Sequence, residues 1–341
     1  MTSIVALGAV TVGIDLPSSH AELREVGLTP GSDSLLPVER MEAIRLKLEN
    51  NHGELPVPTS GGSVGNTANL LARAGVSCGF MGIGGNDTFG RIFVTNCEKA
   101  SLEFLCELED GAVTGYDFYL YDEDDVRTII LTYGANALLN PARVDLDVIQ
   151  KAELVLLDGI ALSFGPESET AMLRCVQAAE AANVPFVLAL AGTGIVAGYR
   201  EFFNTFAPKA QMVAGNLEQV AVLVGLGPEA SLDEVRIELM KTPIDAVVTL
   251  DADGAFARFG NDVFLMPTQK IEAVDSTGAG DNFLAGFLIA RRQGLSVRQA
   301  LAFGNVIAGE VIRYRGAQLP SSFDVPKLML DALQIAESVG D

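Results

Sequence analysis

Residues 274–294 run VDSTGAGDNFLAGFLIARRQG, with Gly278-Ala279-Gly280-Asp281 standing directly before Phe283, Leu284, Phe287, Leu288 and Ile289. Those apolar residues fall at helical spacing, so the stretch is a loop turning into a buried helix. Glycines at the junction leave the backbone bare, and the first N–H groups of a helix have no partner within it. Unpaired amides and the positive helix end both favour negative charge, which makes the junction an anion site. Asp281 is out of place there. A carboxylate beside an anion is repelled by it unless its task is to accept a proton. The plainer alternative is that Asp281 caps the helix.

A second glycine-rich helix start lies about 215 residues earlier, in SGGSVGNTANLLARAGVSCGFMGIGGNDTFG, residues 60–90. Gly61 and Gly62 let the backbone approach a ligand. Asn66 is able to donate and accept hydrogen bonds there, or to serve as an N-cap. The run Gly82–Gly85 lacks the third glycine of a dinucleotide fingerprint, and no Gly-Lys-Ser/Thr phosphate loop occurs.

The 341 residues, 49% hydrophobic and 20% charged, suffice for one large α/β domain with a sizeable core. Against 23 basic residues stand 44 acidic ones, a net charge of −21 that argues against nucleic acid or an anionic membrane as partner. An anionic ligand must then rely on local amides or a few cations. Cys78, Cys97, Cys106 and Cys175 are scattered, and His20 and His52 are the only histidines. This excludes a zinc cluster and a His-based triad, and fits free thiols in a reducing cytoplasm. The start, MTSIVALGAVTVGID, is expected to be a first buried strand rather than a signal peptide. No apolar run reaches the roughly 18 residues of a membrane helix.

Short β-rich runs alternate with helical patterns. Strands are expected at Ile4–Val12, Cys78–Ile83, Leu154–Leu157, Phe186–Leu190, Met212–Ala214 and Ala246–Leu250. Helices are expected at Thr67–Ala74, Glu167–Ala182, Leu217–Val224, Leu232–Met240, Asn282–Arg292 and Val297–Arg313. Such alternation implies a mostly parallel sheet with helices on both faces and ligands at the carboxyl ends of its strands. Two segments depart from the rhythm: residues 16–60, with two polar helical patterns, and residues 114–133, two strands around the acidic turn Asp122–Asp125. Together they suggest a small β-rich lid, discontinuous over about 12–60 and 112–134.

The two glycine-rich signals, in this order, resemble the ribokinase-type (PfkB) carbohydrate and nucleoside kinases. GGSVGNTANLLARAG matches that family's first signature and DSTGAGDNFLAGF its second. LGAVTVGIDLPSSHAELREVGLTPGS, DVRTIILTYGANALL and LDGIALSFGPESETAML are similar to the adenosine-kinase branch. The resemblance spans nearly the whole chain. It implies a ribokinase-like three-layer α/β core with a small lid. The implied activity is phosphoryl transfer from ATP, with Mg²⁺ and a monovalent cation as further expectations. The acceptor would be a primary hydroxyl of a nucleoside or related sugar, and a homodimer through the lid is expected. Asp281 becomes the general base, with the amides of Ala279, Gly280 and Asp281 in the Gly278 turn as the anion hole. Arg127 would neutralise phosphoryl charge from the lid, the alternative being a surface ion pair with Asp122–Asp125. Gly61, Gly62, Ser63, Asn66 and Phe164 are implied for the acceptor. Asn216, Thr249, Asp251, Gly254, Thr277 and Asn305 are implied for the donor nucleotide.

Several positions depart from the family pattern. Its substrate-gripping Asp falls at Gly13; Asp15, two residues on, shares that strand face and is the expected replacement, aided by a bulge at Gly13, or else simply opens a turn before Pro17. The Asn-x-x-Glu motif linked to Mg²⁺ becomes Asn216-Leu217-Glu218-Gln219, with Gln219 uncharged and Glu218 shifted by one. Ala189 stands where adenosine kinases carry Asn, and Asp251 replaces a Gly beside the phosphate path. A catalytically weak binding homologue and a kinase for a non-nucleoside sugar or cyclitol are the competing readings.

Overall fold

The computed structural model describes residues 2–124 and 126–338. Its centre is a nine-stranded sheet. In spatial order the strands are Asp262–Met266, Ala255–Phe259, Ala246–Thr249, Met212–Asn216, Phe186–Ala189, Leu154–Asp158, Ile4–Leu7, Cys78–Met81 and Glu103–Phe104. The seven strands from Ala246–Thr249 to Glu103–Phe104 pair in parallel, and an antiparallel hairpin, Ala255–Phe259 with Asp262–Met266, closes the opposite edge.

Burial on both faces explains why these strands read as continuous apolar runs rather than alternating ones. Ile4, Ala6, Leu154 and Leu156 enter the core shared with the helices Ser63–Arg73, Ala279–Arg292 and Val297–Val311. Their neighbours Val5, Leu7, Val155 and Leu157 enter a second core with Ser168–Ala182, Leu217–Leu223 and Leu232–Leu239. Helices thus cover both faces, as the alternation of elements implies. Among the described residues, no helix is long and apolar enough to cross a membrane.

A second sheet of five strands has the order Asp33–Leu35, Arg127–Thr132, Gly115–Tyr121, Thr11–Pro17 and Thr59–Ser60. The two polar helical patterns of residues 16–60 become His20–Glu25 and Val38–His52. The single strand expected over Ile4–Val12 is in fact two, one in each sheet. Gly8 still donates to Met81 O, but Val10 leaves the ladder: its N–H donates to Asn136 Oδ1 and its carbonyl accepts from Asn136 Nδ2, both at 2.9 Å. Apolar periodicity does not register this crossing because Val10 and Val12 stay fully buried. The helix Ala279–Arg292 starts three residues before the expected Asn282, and Ser63–Arg73 starts four before Thr67. Both extensions reach into the glycine turns.

Candidate active site

The ends of four parallel strands, Asp158, Ala189, Asn216 and Thr249, line one cavity of about 720 Å³. Parallel α/β sheets bind ligands at this edge. Asp281 lines it too, half-buried, at the third position of its helix.

The Asp281 carboxylate is held from the other glycine-rich segment. Its Oδ1 accepts from Ser63 Oγ at 2.6 Å and its Oδ2 from Asn66 Nδ2 at 2.9 Å. Thr67 Oγ1 donates to the Asp281 carbonyl at 2.9 Å. Gln318 Nε2 donates to Asn66 Oδ1 at 3.0 Å, which fixes the amide with its NH₂ toward Asp281. Burial raises the Asp281 pKa above the usual carboxylate value, and the bonds from Asn66 and Ser63 oppose the rise. Its side chain makes no bond to its own helix start. Asp281 is not a cap.

The turn before it has its own scaffold. Asp275 Oδ1 accepts from Thr277 N at 2.9 Å and Thr277 Oγ1 at 2.7 Å, while its Oδ2 accepts from Gly316 N at 2.9 Å. Burial alone would raise the Asp275 pKa, but these bonds and the Arg127 charge hold it below the ordinary value. Gly278 has φ 74°, and a Cβ there would stand 2.5 Å from Ala317 O. Its role is to make the turn; it is not on the cavity wall. Of the three amides expected to form an anion hole, Ala279 N–H donates to Ser276 O at 3.2 Å. Among the described residues, the Gly280 and Asp281 amides have no acceptor, and both residues line the cavity.

Arg127 does not pair with the acidic turn, whose Asp125 lies outside the described residues. Asp122 takes His20 at 2.8 Å instead. Arg127 Nη1 crosses from the small sheet to Thr277 Oγ1 at 2.5 Å and stands 3.7 Å from Asp275. It therefore meets the anion turn through Thr277, itself a cavity residue.

Gly61, Gly62, Ser63, Asn66 and Phe164 line the cavity. Asp15 does not. The strand pairing runs without interruption from Thr11 to Pro17, so no bulge forms at Gly13. Asp15 accepts from Tyr121 OH at 3.3 Å. Burial and the Asp275 charge raise its pKa, opposed by the Tyr121 hydroxyl and the charges of Arg315 and Arg127.

On the nucleotide side, Asn216, Thr249, Asp251 and Thr277 line the cavity, but Gly254 and Asn305 do not. Gly254 has φ 102° and packs where a Cβ would meet Met266 O; Asn305 donates to the carbonyls of Met266 and Pro267. Both are structural. Glu218 is exposed and off the wall. Gln219 forms a capping box with Asn216, and its Nε2 donates to Ala191 O, so both ends of its amide are occupied. The expected Mg²⁺ pair therefore offers no anionic ligand on the cavity wall. Asp251, exposed at φ 49°, is the cavity carboxylate with no protein partner among the described residues.

Two cavity carboxylates escape sequence reasoning. Asp158 caps the segment Gly159–Ser163, accepting from Ile160 N, and also accepts from Val64 N at 3.3 Å. Burial pushes it up to about 7, opposed by those amides and reinforced by Asp281. Asp117, on the small sheet, is likewise pushed to about 7 by burial, opposed only by Thr11 Oγ1 at 3.4 Å. Alternation in TGYDFYLY was the available signal: Asp117, Tyr119 and Tyr121 share one face.

With this geometry in view, the chain matches the model of the pfkB family carbohydrate kinases over residues 36–323. It is 26% identical over 261 residues to a 5-dehydro-2-deoxygluconokinase of Shouchella clausii, covering 74% of this chain and 80% of the relative. It is 24% identical over 299 residues to an adenosine kinase of Schizosaccharomyces pombe, covering 81% and 87%. The structure of adenosine kinase from Sinorhizobium meliloti superposes with a TM-score of 0.83 at 27% identity, covering 98% and 99% of the two chains. The chain belongs to the pfkB family of carbohydrate kinases. It is a phosphotransferase with an alcohol group as acceptor, a sugar or nucleoside kinase of ribokinase-like fold.

Two outcomes are expected. Asp281→Asn removes the proton acceptor while keeping the contact to Ser63, so turnover falls by about 10²–10⁴-fold with acceptor affinity nearly unchanged. Steady-state kinetics and calorimetry on the purified variant check this, and retained turnover contradicts the base assignment. The second concerns pH. Asp117 and Asp158 bind protons more tightly folded than unfolded, so their stabilisation is present below about pH 4 and lost as pH rises through about 7. The urea midpoint should be higher at pH 5.5 than at pH 8, with a smaller difference in Asp117→Asn. An equal or lower midpoint at pH 5.5 contradicts it.

Proposed function

We propose that the protein transfers the terminal phosphoryl group of ATP to the primary hydroxyl of a neutral nucleoside. The observation that carries this reading is the make-up of the cavity wall. Among the described residues no Lys or Arg lines it, whereas Asp117, Asp158, Asp251 and Asp281 all do. An anionic acceptor such as a gluconate or a sugar phosphate would meet carboxylates that no cation on this wall neutralises, in a partly desolvated space, which is unfavourable. The acceptor half is also apolar and aromatic. Tyr119, Ile129, Leu131 and Ile160 face it, with Tyr133 and Phe164 in an edge-on pair at 5.1 Å. A free sugar would leave hydroxyls unsatisfied against such walls, while a flat base gains from them.

Phosphoryl transfer requires alignment and charge stabilisation more than covalent help. Asp281, already oriented by Ser63 and Asn66, takes the proton of the attacking hydroxyl. The Gly280 and Asp281 amides at the helix N-terminus hold the transferring group. Arg127 adds positive charge through the Thr277 turn as the small sheet covers the site, acting as a lid. Asp251 alone would repel the donor phosphates; Mg²⁺ in excess of nucleotide would neutralise phosphate charge and turn that carboxylate into a ligand.

A coupled assay across nucleosides, neutral sugars and sugar acids tests the acceptor. Nucleosides should be turned over with kcat/KM at least about 100-fold above any sugar acid; efficient use of a sugar acid contradicts the reading. A second expectation concerns the donor. ATP binding should depend on Mg²⁺ in excess of nucleotide, and Asp251→Gly should tighten binding and reduce that dependence, by roughly 1–2 kcal/mol. Titration calorimetry at two Mg²⁺ concentrations reads this directly. Identical behaviour of parent and variant would mean that Asp251 takes no part.

A further inference from the structure

The small sheet presents one face to the cavity, and its strand Thr11–Pro17 has a gap at the middle of that face. Gly13 carries no side chain, and none would fit: a Cβ there would stand 2.8 Å from the Cε2 atom of Tyr119. The tyrosine ring has closed over the position. Asp15 is turned toward Tyr121 and the Asp275 cluster and is absent from the cavity wall. Neither residue therefore offers the acceptor a carboxylate from this strand.

The neighbouring strand does. In the parallel pairing of Thr11–Pro17 with Gly115–Tyr121, the residue opposite Gly13 is Asp117. Paired residues on adjacent strands project to the same face, about 5 Å apart. Asp117 lines the cavity together with Thr11, Asn66, Gly61 and Gly62. Its sole side-chain hydrogen bond among the described residues comes from Thr11 Oγ1, at 3.4 Å. That is too long to satisfy a carboxylate with room for about four acceptor contacts. Burial meanwhile raises its pKa to about 7. A folded protein carrying an under-bonded, half-buried carboxylate gains when a ligand supplies donors.

We propose that Asp117 is the acceptor-gripping carboxylate of this enzyme, accepting hydrogen bonds from the ring hydroxyls of the substrate and setting specificity for a hydroxyl pair. Gly13 and the Tyr119 ring clear and floor the space in which those hydroxyls sit. The proposal rests on the nucleoside reading only for the identity of the ring; any neutral polyol acceptor would meet the same group.

The test is acceptor binding by calorimetry, without donor, for the parent, Asp117→Asn and Asp117→Ala. The ligands are a ribonucleoside, its 2′-deoxy and 3′-deoxy forms, and a neutral hexose with its deoxy forms. In the parent, loss of a gripped hydroxyl should weaken binding by about 10–100-fold, the range for hydrogen bonds to a charged partner. Asp117→Asn should lose a similar factor with the intact ligand, and the deoxy forms should then lose little more. If the hexose series binds and the nucleosides do not, the nucleoside reading falls and Asp117 is judged on the hexose series. A parent that binds neither series overturns both. If Asp117→Ala fails to fold, the isosteric Asn variant decides. Folded variants that bind as tightly as the parent, an unchanged deoxy penalty in Asp117→Asn, or a loss that appears with Asp15→Asn instead would each overturn the proposal.

Discussion

The Asp281 carboxylate is a half-buried charge held by donors from a helix more than two hundred residues away in sequence. Ser63 and Asn66 bind one oxygen each, and Thr67 binds the backbone carbonyl of the same residue. A carboxylate partly removed from water without such partners would be destabilising. The contact therefore fixes how the two helix N-termini meet. From that meeting follow the orientation of the Asp281 carboxylate, the exposure of the Gly280 and Asp281 amides and the placement of Gly61 and Gly62 on the same wall. The helix starts supply a positive environment that a chain of net charge −21 lacks elsewhere on this wall.

The division of labour between side chains and backbone follows from the same charge imbalance. Four aspartates and no Lys or Arg line the cavity among the described residues, so on the proposed reading the anion is received chiefly by amides, with Arg127 acting from behind Thr277. Asp275 organises that arrangement without touching the cavity: it folds the turn by accepting from Thr277 and Gly316, and its charge keeps Arg127 nearby. Losing Asp275 would thus disturb both the turn and the cation. The departures at Gln219 and Asp251 belong to this balance as well. Gln219 has become part of a helix cap, and Asp251 leaves a free carboxylate on the cavity wall.

What the sequence made legible was local. Glycine turns running into apolar helices were visible at residues 60–74 and 274–294, and so was the alternation that implies a parallel sheet. The meeting of Asp281 and Asn66 at one cavity is consistent with those turns, since each stands near a glycine-rich helix start. The misreadings arose where a side chain's surroundings come from distant segments. Val10 is apolar and buried on either side of the sheet crossing, and only the Asn136 side chain reveals where the strand ends. Asp15 follows from spacing along one strand, which is visible, whereas the pairing that sets Asp117 opposite Gly13 is not. Gly254 and Asn305 fit a motif by position, but Gly254 packs against Met266 O and Asn305 bonds the carbonyls of Met266 and Pro267. Glu218, one place off the motif, is exposed and away from the cavity. Ala279 belonged to the right turn, yet a bond to Ser276 occupies its amide.

The central claim is that one carboxylate, aimed by a distant helix, shares its site with two free amides so that proton acceptance and phosphoryl binding occur side by side. A crystal structure of the protein with its acceptor and a non-hydrolysable ATP analogue tests this most directly. The account predicts the acceptor's primary hydroxyl at about 2.6–3.2 Å from an Asp281 oxygen, with the terminal phosphoryl oxygens on the Gly280 and Asp281 amides. A hydroxyl bound away from Asp281, or a terminal phosphate held by side chains with those amides unoccupied, would contradict it.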